Sequence, residues 1–560
     1  MTDSGSTARI AARPLPGVEP VCYRNRASAA AVQEGTEADR VGVCLTTGAV
    51  ISVDLLTGID FSTSFTDQQG SNRMWLYSLH PLRALGEAVR DGRDDLRPFY
   101  RAGWESAVAH LSAEPARTVL DLLPSGDHAA ATRLRACLEA GSLLDDLELL
   151  KSIRHVGDVT AEWLMADANY RANNHGLMSS IALLYWAAEV VSGKEAAAVR
   201  SKAIERILSL AGRAFDDRGL CDENTIGYHN FNLSCYDEVL ALHGAHTLDP
   251  RIDSVLRPIL DRAGNALDIC VLQDGTVPTI GDSGRYAVER AQTINSSSCF
   301  PDSGFGVVKN EHLYLSLICG ARSEVHKHVD DSSMTLWWDG HPLVVDTGSY
   351  LYDRTDPYRR TMESALGHSG IFLDTLNGLL RTEVVRNHTD YWATLDDFRP
   401  GTGGSGELRC SYGVGDRARV DRRIRLVDSR WVAVRDVVRI TDGSLTPRAT
   451  QRWLVGPQLS PVRLGHGHWW FAPETGSPGL TIMALGHADE ELYVGEDWGQ
   501  HRGWYSEQYR RRQSTTGLDL RSTGRLQVHA TVLAIGDDPV VNLGTIPSEA
   551  LELVHGFDGA

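Results

Sequence analysis

The sequence lacks several features that mark particular protein classes. It has no run of about 18 uninterrupted apolar residues, so no membrane span is indicated. Its 9 cysteines are odd in number and scattered, with no CxxC pair, so neither a zinc ribbon nor a disulfide framework is indicated. Only 5 residues are lysine, and 55 basic residues stand against 73 acidic ones. The resulting net charge of -18 argues against a nucleic-acid binder.

The N-terminal segment also lacks the apolar core of a secretory signal. We therefore expect a cytoplasmic protein, or a secreted one if a signal has been removed. With 560 residues, 42% of them hydrophobic, the chain can fill large cores and is expected to form two to four domains. The oligomeric state is left open, with a homodimer as one option.

The first half of the chain has helical periodicity. RIDSVLRPILDRAGNALDIC and SKAIERILSLAGRAF space their apolar residues as amphipathic helices do, and the first pattern stops at Asp274-Gly275. SSIALLYWAAEVVSG, ending at Gly193, is apolar nearly all round and predicts a buried helix. Residues 61–295 are therefore expected to form a helical toroid or bundle. Residues 1–60 are a separate N-terminal extension, in which VGVCLTTGAVISVDLL predicts a short hairpin.

The second half, residues 296–560, has a different pattern. HLYLSLICG, SMTLWWDG, HPLVVDTG, RARVDRRIRLV, RWVAVRDVVRI, GLTIMALG and LQVHATVLAIG are short, rich in β-branched residues and often alternating. Turn residues separate them. This pattern predicts an antiparallel β-sandwich. The fold class is therefore multidomain α+β, with helices first and the sandwich after them.

The densest polar cluster is HKHVDD, which begins at His326. If this segment is a strand, His326 and His328 point to the same face. Asp346 and His368, from neighbouring strands, would complete a set of nitrogen and oxygen ligands that suits Zn²⁺. The alternative interpretation is a hydrogen-bonded polar cluster on a strand.

A second cluster, RANNHG, precedes the buried helix and contains Asn173, Asn174 and His175. Asparagine at a helix start is usually an N-cap. The same three residues would also make a carboxylate receptor, because amides, an imidazole and backbone N–H groups would all face the anion.

A third cluster lies in TIGYHNFN, which contains Tyr228. A tyrosine among so many polar residues is either a proton donor or a buried tyrosine with a satisfied hydroxyl. The segment PTIGDSGRY follows it, near the expected domain junction. Gly281-Asp282-Ser283 lacks phosphate-loop spacing, and we interpret it as structural.

Taken in this order, these segments resemble the heparinase II/III-like polysaccharide lyases and the related oligoalginate lyases. The matching motifs are NNHG, Tyr228, PTIGDSG, PDSGFGVV, HKHVDD, VVDTGSYLYD and GHSGIFLD, and they span residues 165 to 375. The resemblance implies an (α/α) toroid followed by a large antiparallel β-sandwich. It also implies β-elimination at a uronate. In this reaction the enzyme neutralises the uronate carboxylate, a base removes the C5 proton, and an acid protonates the O4 leaving group.

The resemblance further implies roles for individual residues. The catalytic set would be Asn174, His175, Tyr228 and His326. The substrate-binding set would be Asn173, Tyr352 and Tyr358, and the spacing does not decide which of these tyrosines is the second active-site tyrosine. His328, Asp346 and His368 would bind one structural Zn²⁺. The partner would be a uronate-containing oligosaccharide or polysaccharide, and neither nucleic acid nor membrane is expected.

One position departs from the family pattern, because Ser369 follows His368 where the family often has asparagine. Two other functions remain open from the sequence. One is a non-catalytic protein of glycan binding or biosynthesis on the same scaffold. The other is a glycoside hydrolase, which would need two carboxylates flanking the bond, whereas the clusters here are asparagine, histidine and tyrosine.

Overall fold

The computed structural model describes residues 31–33, 39–66, 68–113, 116–401, 405–474, 476–486 and 489–556. The first 30 residues of the predicted N-terminal extension lie outside this range. The chain separates into two compact units, the first comprising residues up to Ala214 with Phe231–Leu260, and the second Phe215–Asn230 with residues from Asp261 onward. Because the units interleave along the chain, the predicted linear boundaries at 61 and 296 stay predictions.

The first unit begins with a small antiparallel sheet. Its strands pair in sequence order and are β1 (Val32–Gln33), β2 (Arg40–Cys44), β3 (Val50–Asp54) and β4 (Gly58–Ile59). The β2–β3 pair lies in the segment for which the alternating apolar residues predict a hairpin. The backbone N–H of Ile59 donates to Ser106 Oγ at 2.9 Å, which ties the sheet to the helices.

Among the described residues from 68 to 270, helices follow one another with no strand between them. They are α1 (Gln69–Tyr77), α2 (His80–Arg90), α3 (Arg97–Ala113), α4 (Ala116–Asp121), α5 (Gly126–Ala140), α6 (Leu147–Met165), α7 (Asn174–Glu189), α8 (Gly193–Ala214), α9 (Ile226–His246) and α10 (Pro250–Cys270). Short 3₁₀ turns lie at 94–96 and 167–169. None of the described helices combines the length and the hydropathy that crossing a membrane requires.

The predicted helices are present, with different ends. The apolar helix α7 stops at Glu189, and Gly193 begins the next helix instead of ending the previous one. Helix α7 packs closely against α6, since a Cβ on Gly157 of α6 would lie 2.1 Å from the Trp186 ring of α7. Helix α10 ends at Cys270, ahead of Asp274-Gly275, because Leu272 already donates its N–H to the Thr276 carbonyl in a tight turn.

The second unit is built on two antiparallel sheets. The first contains β5 (Ser298–Phe300), β6 (Phe305–Lys309), β7 (Leu313–Ile318), β8 (Ser333–Trp338), β9 (His341–Val344), β10 (Ile371–Leu373), β15 (Arg448–Val455), β19 (Asp489–Val494) and β22 (Thr516–Thr523). The second contains β11 (Tyr391–Pro400), β12 (Gly406–Val414), β13 (Ala418–Val427), β14 (Trp431–Ile440), β16 (Leu459–Gly465), β17 (His468–Pro473), β18 (Gly479–Ala484) and β23 (Leu526–Gly536).

The two sheets have regular orders. The first runs β19-β22-β15-β9-β8-β7-β6-β5, with β10 also paired to β15, and the second runs β11-β12-β13-β14-β23-β18-β17-β16. Their inner faces bury one large apolar core. The two sheets approach each other closely at Gly306 of β6, where a Cβ would lie 2.7 Å from Leu408 of β12. Every strand predicted from the seven alternating segments is present.

Smaller elements complete this unit. They are α11 (Pro357–Glu363), α12 (Arg381–Asn387), the hairpin β20 (Trp504–Gln508) and β21 (Arg511–Ser514), and α13 (Ser548–His555), with 3₁₀ turns at 365–367, 374–376 and 543–545. The segment that leads to Tyr352 is joined to the β20–β21 hairpin, because Ser506 donates its N–H to the Thr347 carbonyl at 2.8 Å.

Candidate active site and metal centre

Tyr228 lies in the first turn of α9. Its backbone N–H donates to Thr225 Oγ1 at 3.0 Å, so a threonine hydroxyl satisfies one of the donors that a helix start leaves open. The neighbouring Gly227 N–H donates to Ser283 Oγ at 2.8 Å. The start of α9 is therefore fixed against the loop of the PTIGDSG motif.

The HKHVDD segment forms a loop between β7 and β8, so its prediction as a strand is wrong. His326 has φ 55°, in the left-handed region that a strand does not use and that non-glycine residues rarely adopt. A residue outside the loop also holds it: the side-chain amide of Asn224 donates to the carbonyls of Ser323 at 3.0 Å and Val325 at 2.8 Å. His326 and His328 nevertheless reach one common partner, described below.

The other charged residues of the motif, Lys327, Asp330 and Asp331, form a buried network of charges. Lys327 Nζ lies 2.6 Å from Asp330 and 3.1 Å from Asp331, and the Arg381 guanidinium donates to Asp331 at 2.9 Å. All three residues of the motif are almost fully buried. Pairing of this kind compensates the cost of burying their charges, and it anchors the loop on either side of His328.

The structure brings Tyr228, His326 and Tyr352 together. The Tyr228 and His326 rings stack with centroids 3.7 Å apart and planes at 18°. The Tyr228 and Tyr352 hydroxyl oxygens lie 2.7 Å apart, at the usual distance of a hydrogen bond in which one hydroxyl donates to the other. Of the two tyrosines that the sequence left open, Tyr352 is the one beside Tyr228.

Tyr358 belongs to a different aromatic group. Its hydroxyl donates to Asp497 Oδ1 at 2.9 Å, and the Arg512 guanidinium lies 3.6 Å from the centre of its ring. Trp504 packs edge-on against the same ring at 5.7 Å. The aromatic faces hold the guanidinium by cation–π attraction.

Asp282 is the common partner of both histidines of the loop. Its Oδ2 lies 3.0 Å from His326 Nδ1, and its Oδ1 lies 3.1 Å from His328 Nε2. The Arg359 guanidinium donates to both of its oxygens. Because an ionised carboxylate only accepts hydrogen bonds, Nδ1 of His326 and Nε2 of His328 carry the hydrogens.

The ionised state of Asp282 follows from these neighbours. Burial alone would raise its pKa, but the charge of Arg359 and the contacts with His328 and His326 hold the pKa well below its usual range. The pKa of the Tyr352 hydroxyl is raised, first by desolvation and then by the charge of Asp282. Tyr352 therefore stays protonated and can serve as a hydrogen-bond donor.

The sequence interpretation of Asp282 as merely structural missed this role. His326 and His328 follow it by 44 and 46 residues, and nothing in the spacing within Gly281-Asp282-Ser283 marks such partners. The available signal was the polar Asp282-Ser283 pair in a loop beside the expected domain junction.

The three predicted metal ligands meet. His328, Asp346 and His368 are buried, and each offers one ligand atom such that the three atoms lie within 4.8 Å of one another. Each lies outside the strands: His328 ahead of β8, Asp346 after β9 and His368 ahead of β10.

The donor atoms of this cluster fit a metal. His328 Nδ1 and His368 Nε2 are buried and have no hydrogen-bond partner among the described residues. Their other nitrogens contact carboxylates, since His368 Nδ1 lies 2.7 Å from Asp346 Oδ2 and His328 Nε2 contacts Asp282. Carboxylates that fix the ring in this way are the usual supports of metal-binding histidines. Asp282 also raises the pKa of His328 although burial lowers it, so a metal would compete with a proton for Nδ1.

Ser369, where the family pattern has asparagine, is fully buried. Its hydroxyl donates to the Val345 carbonyl at 3.0 Å and accepts from the Leu454 N–H at 2.9 Å. A serine thus joins the segment that carries Asp346 to strand β15 beside the candidate metal ligands.

Asn173 is the N-cap of α7, in the first unit. Its side-chain oxygen accepts from the N–H groups of His175 at 3.0 Å and Gly176 at 3.4 Å. These two N–H groups are therefore not free to face an anion, which corrects the expectation that backbone donors of this turn join a carboxylate receptor. Asn174, the first residue of the helix, is almost fully buried.

The His175 side chain is held by Asp127. Its Nδ1 lies 3.2 Å from Asp127 Oδ1, and the Arg171 guanidinium lies 3.5 Å from the other oxygen. Burial raises the pKa of Asp127, but His175 and Arg171 outweigh this and lower it. The predicted meeting of Asn174 and His175 with Tyr228 and His326 stays a prediction, because the two pairs belong to different compact units.

Known proteins resemble this chain in sequence family and in fold. Residues 294–537 match the family described as Heparinase II/III-like, C-terminal. A crystal structure of heparinase III is similar with a TM-score of 0.71, 12% identity and coverage of 86% of this chain and 80% of that one. No functionally curated protein matches the sequence.

Two further solved structures are similar. A heparinase III gene product aligns with a TM-score of 0.64, 15% identity and coverage of 86% of this chain and 81% of that one. Heparan sulfate lyase HepC from Pedobacter heparinus aligns with a TM-score of 0.57, 14% identity and coverage of 87% and 81%. The predicted fold class, a helical toroid followed by an antiparallel β-sandwich, is thereby confirmed. Residues 294–537 are thus similar to the heparinase II/III-like C-terminal family, and the chain has the fold of the heparinase III structures.

Proposed function

We propose that the protein is a polysaccharide lyase that cleaves uronate-containing glycans by β-elimination and leaves a 4,5-unsaturated uronate. The observation that supports this best is the group of Tyr228, His326 and Tyr352, whose rings and hydroxyls are in direct contact. The names of the similar structures, heparinase III and heparan sulfate lyase, agree with this reaction class.

The reaction makes three demands on the site. The C5 proton becomes acidic only if donors neutralise the uronate carboxylate, onto which the negative charge spreads. A base must lie within hydrogen-bond reach of that proton, and an acid within reach of O4.

Tyr228 is the proposed proton-transfer group. A hydrogen bond donated by Tyr352 to the Tyr228 oxygen would stabilise the phenolate form of Tyr228, which takes up the C5 proton and thereby becomes a neutral phenol. The same hydroxyl can then return a proton to O4. His326, stacked on Tyr228, offers Nε2 as the second polar atom of the site, since its Nδ1 is occupied by Asp282.

Asn174 and His175 are proposed to receive the uronate carboxylate. An amide and an imidazole beside the N-terminus of α7 are suitable donors, because the helix dipole favours a negative charge there. Asp127 fixes the orientation of the His175 ring for this task.

We further propose that His328, Asp346 and His368 bind one Zn²⁺. Two imidazole nitrogens and a carboxylate are ordinary zinc ligands. The ion would stabilise the loops that carry His326 and Tyr352, and it takes no part in the proton transfers proposed here.

The net charge of -18 bears on the substrate. A negatively charged protein repels a densely sulfated polymer, so a lightly charged uronate glycan is the proposed substrate.

The test is a panel of uronate polysaccharides and oligosaccharides that differ in sulfation, assayed by the ultraviolet absorbance of the unsaturated product. The wild-type protein is expected to release this product, most rapidly from the less sulfated members, and Tyr228→Phe is the inactive control. Binding of glycans without any unsaturated product would instead support the non-catalytic alternative.

A further inference from the structure

Asp282 occupies a position that neither the proposed proton transfer nor the proposed metal centre uses directly. Its side chain is fully enclosed with only three partners described, namely His326, His328 and Arg359. One partner is a candidate active-site residue and another is a candidate metal ligand. A single carboxylate therefore joins the two parts of the site.

The contact with His326 decides which ring nitrogen carries the hydrogen. Asp282 accepts from Nδ1, so in the neutral imidazole Nε2 has the lone pair. Glu223 Oε2 lies 3.6 Å from Nε2, beyond hydrogen-bond distance. The nitrogen left for a substrate or a water is therefore Nε2.

The backbone of His326 does not favour its position by itself. With φ 55° this residue sits in a strained region that persists only when surrounding contacts hold it. The Asn224 amide fixes the turn before it, and Asp282 fixes the ring. Stacking on Tyr228 at 3.7 Å then depends on the ring being held in this orientation.

We propose that Asp282 is a positioning residue, which presents Nε2 of His326 to the substrate and couples that ring to the metal-binding ring of His328. Arg359 holds the carboxylate in place by donating to both of its oxygens. This inference rests on the proposed lyase function only for its kinetic consequence. The ring orientation that it assigns is independent of the reaction.

The kinetic test compares Asp282→Asn with a matched buried carboxylate. Asp436 is also fully buried and accepts from two nitrogens of the Arg422 guanidinium at 2.7 Å, but its described hydrogen-bond partners, Arg422 and Gln451, include no histidine. Asp282→Asn is expected to lower kcat by roughly 100-fold with little change in KM, as loss of an orienting carboxylate does. Asp436→Asn is expected to lower the melting temperature and to leave kcat of the folded protein near the wild-type value.

A double substitution separates positioning from a general structural effect. If Asp282 acts through His326, Asp282→Asn has no further effect on kcat in a His326→Ala background. Independent, multiplying losses would overturn the proposal. A fall in kcat that only follows the loss of bound zinc, measured by elemental analysis of each variant, would overturn it as well.

A spectroscopic test needs neither activity nor a folded Asp282 variant. In ¹⁵N-histidine-labelled wild-type protein, the signal that disappears in His326→Ala is expected to show a hydrogen on Nδ1 and none on Nε2. The opposite tautomer would overturn the proposal. If no uronate glycan is cleaved, the lyase proposal fails, and this spectrum still decides the orientation of His326.

Discussion

The hydroxyl oxygens of Tyr228 and Tyr352 lie 2.7 Å apart, although 124 residues separate them in the chain. One tyrosine begins a helix and the other lies in the segment after β9. Either hydroxyl can be the donor of this pair. The contact leads to the first two predictions.

Tyr228→Phe is expected to lower kcat on the order of 100-fold or more, because it removes the hydroxyl that is proposed to transfer the proton. The substitution deletes one oxygen and little volume, so the melting temperature should stay close to that of the wild type. Turnover is measured by release of the unsaturated product. Wild-type turnover in this variant would remove Tyr228 from the mechanism.

Tyr352→Phe and Tyr358→Phe form a matched pair. Tyr352→Phe is expected to lower kcat roughly 10- to 100-fold, because the charged Tyr228 oxygen loses a hydrogen bond that is worth about 1.5–3 kcal/mol. Tyr358 donates to Asp497 and not to Tyr228, so Tyr358→Phe should change KM more than kcat. The reverse pattern in steady-state kinetics would exchange the two roles.

The metal centre predicts two different losses. His368→Ala should remove about one equivalent of zinc and lower the melting temperature, because the free energy of metal binding is also folding free energy. His326→Ala should keep the zinc and lower kcat. Elemental analysis and thermal unfolding measure both effects. A chelator-treated protein whose melting temperature does not respond to added zinc would contradict the structural role.

The N-cap of α7 can be separated from a substrate-binding role. Asn173→Ala should lower the free energy of unfolding by about 1 kcal/mol, and Asn173→Asp should restore it, because aspartate is an equally good cap. Denaturant unfolding measures this difference. If Asn173→Asp keeps its stability but raises KM for the uronate substrate, the added negative charge lies beside the substrate carboxylate.

Lys309 predicts a pH dependence of stability. Its ammonium group is buried against the carbonyls at the end of α10, including that of Val271 at 2.7 Å, and burial lowers its pKa from 10.5 to about 8. The unfolded chain therefore binds more protons between pH 8 and 10.5, and stability rises with pH across this window. Burial of the charged ammonium group lowers the free energy of unfolding by about 3 kcal/mol, and this destabilisation is fully present below pH 8.

The measurement compares the wild type with Lys309→Met. Subtracting the free energies of unfolding of the two proteins at each pH removes the contribution of the other titrating groups. The free energy of unfolding of the wild type, relative to that of Lys309→Met, should increase as pH rises above 8. A constant difference would show that Lys309 does not change its pKa on folding.

The sequence by itself determined the order and class of the elements. The helical spacing of α8 and α10 and the alternation in β13, β14 and β23 are local properties, because each follows from which faces of the element are buried. The residue types of the metal cluster were also readable, since histidine and aspartate in motif order are a chemical signal. In HKHVDD the local pattern misled, because spacing alone does not distinguish a strand from a loop that charged partners hold in place.

Only the tertiary structure decided which residues act together. The choice of Tyr352 over Tyr358, and the place of Asp282 between His326 and His328, depend on loops that are distant in the chain. Their side chains meet through packing of the second unit, and no periodicity in the sequence records such contacts. Similarly, the capping role of Asn173 needed the position of its oxygen relative to two backbone N–H groups. Residue type fixes what a side chain is able to do, and the three-dimensional fold selects its partner.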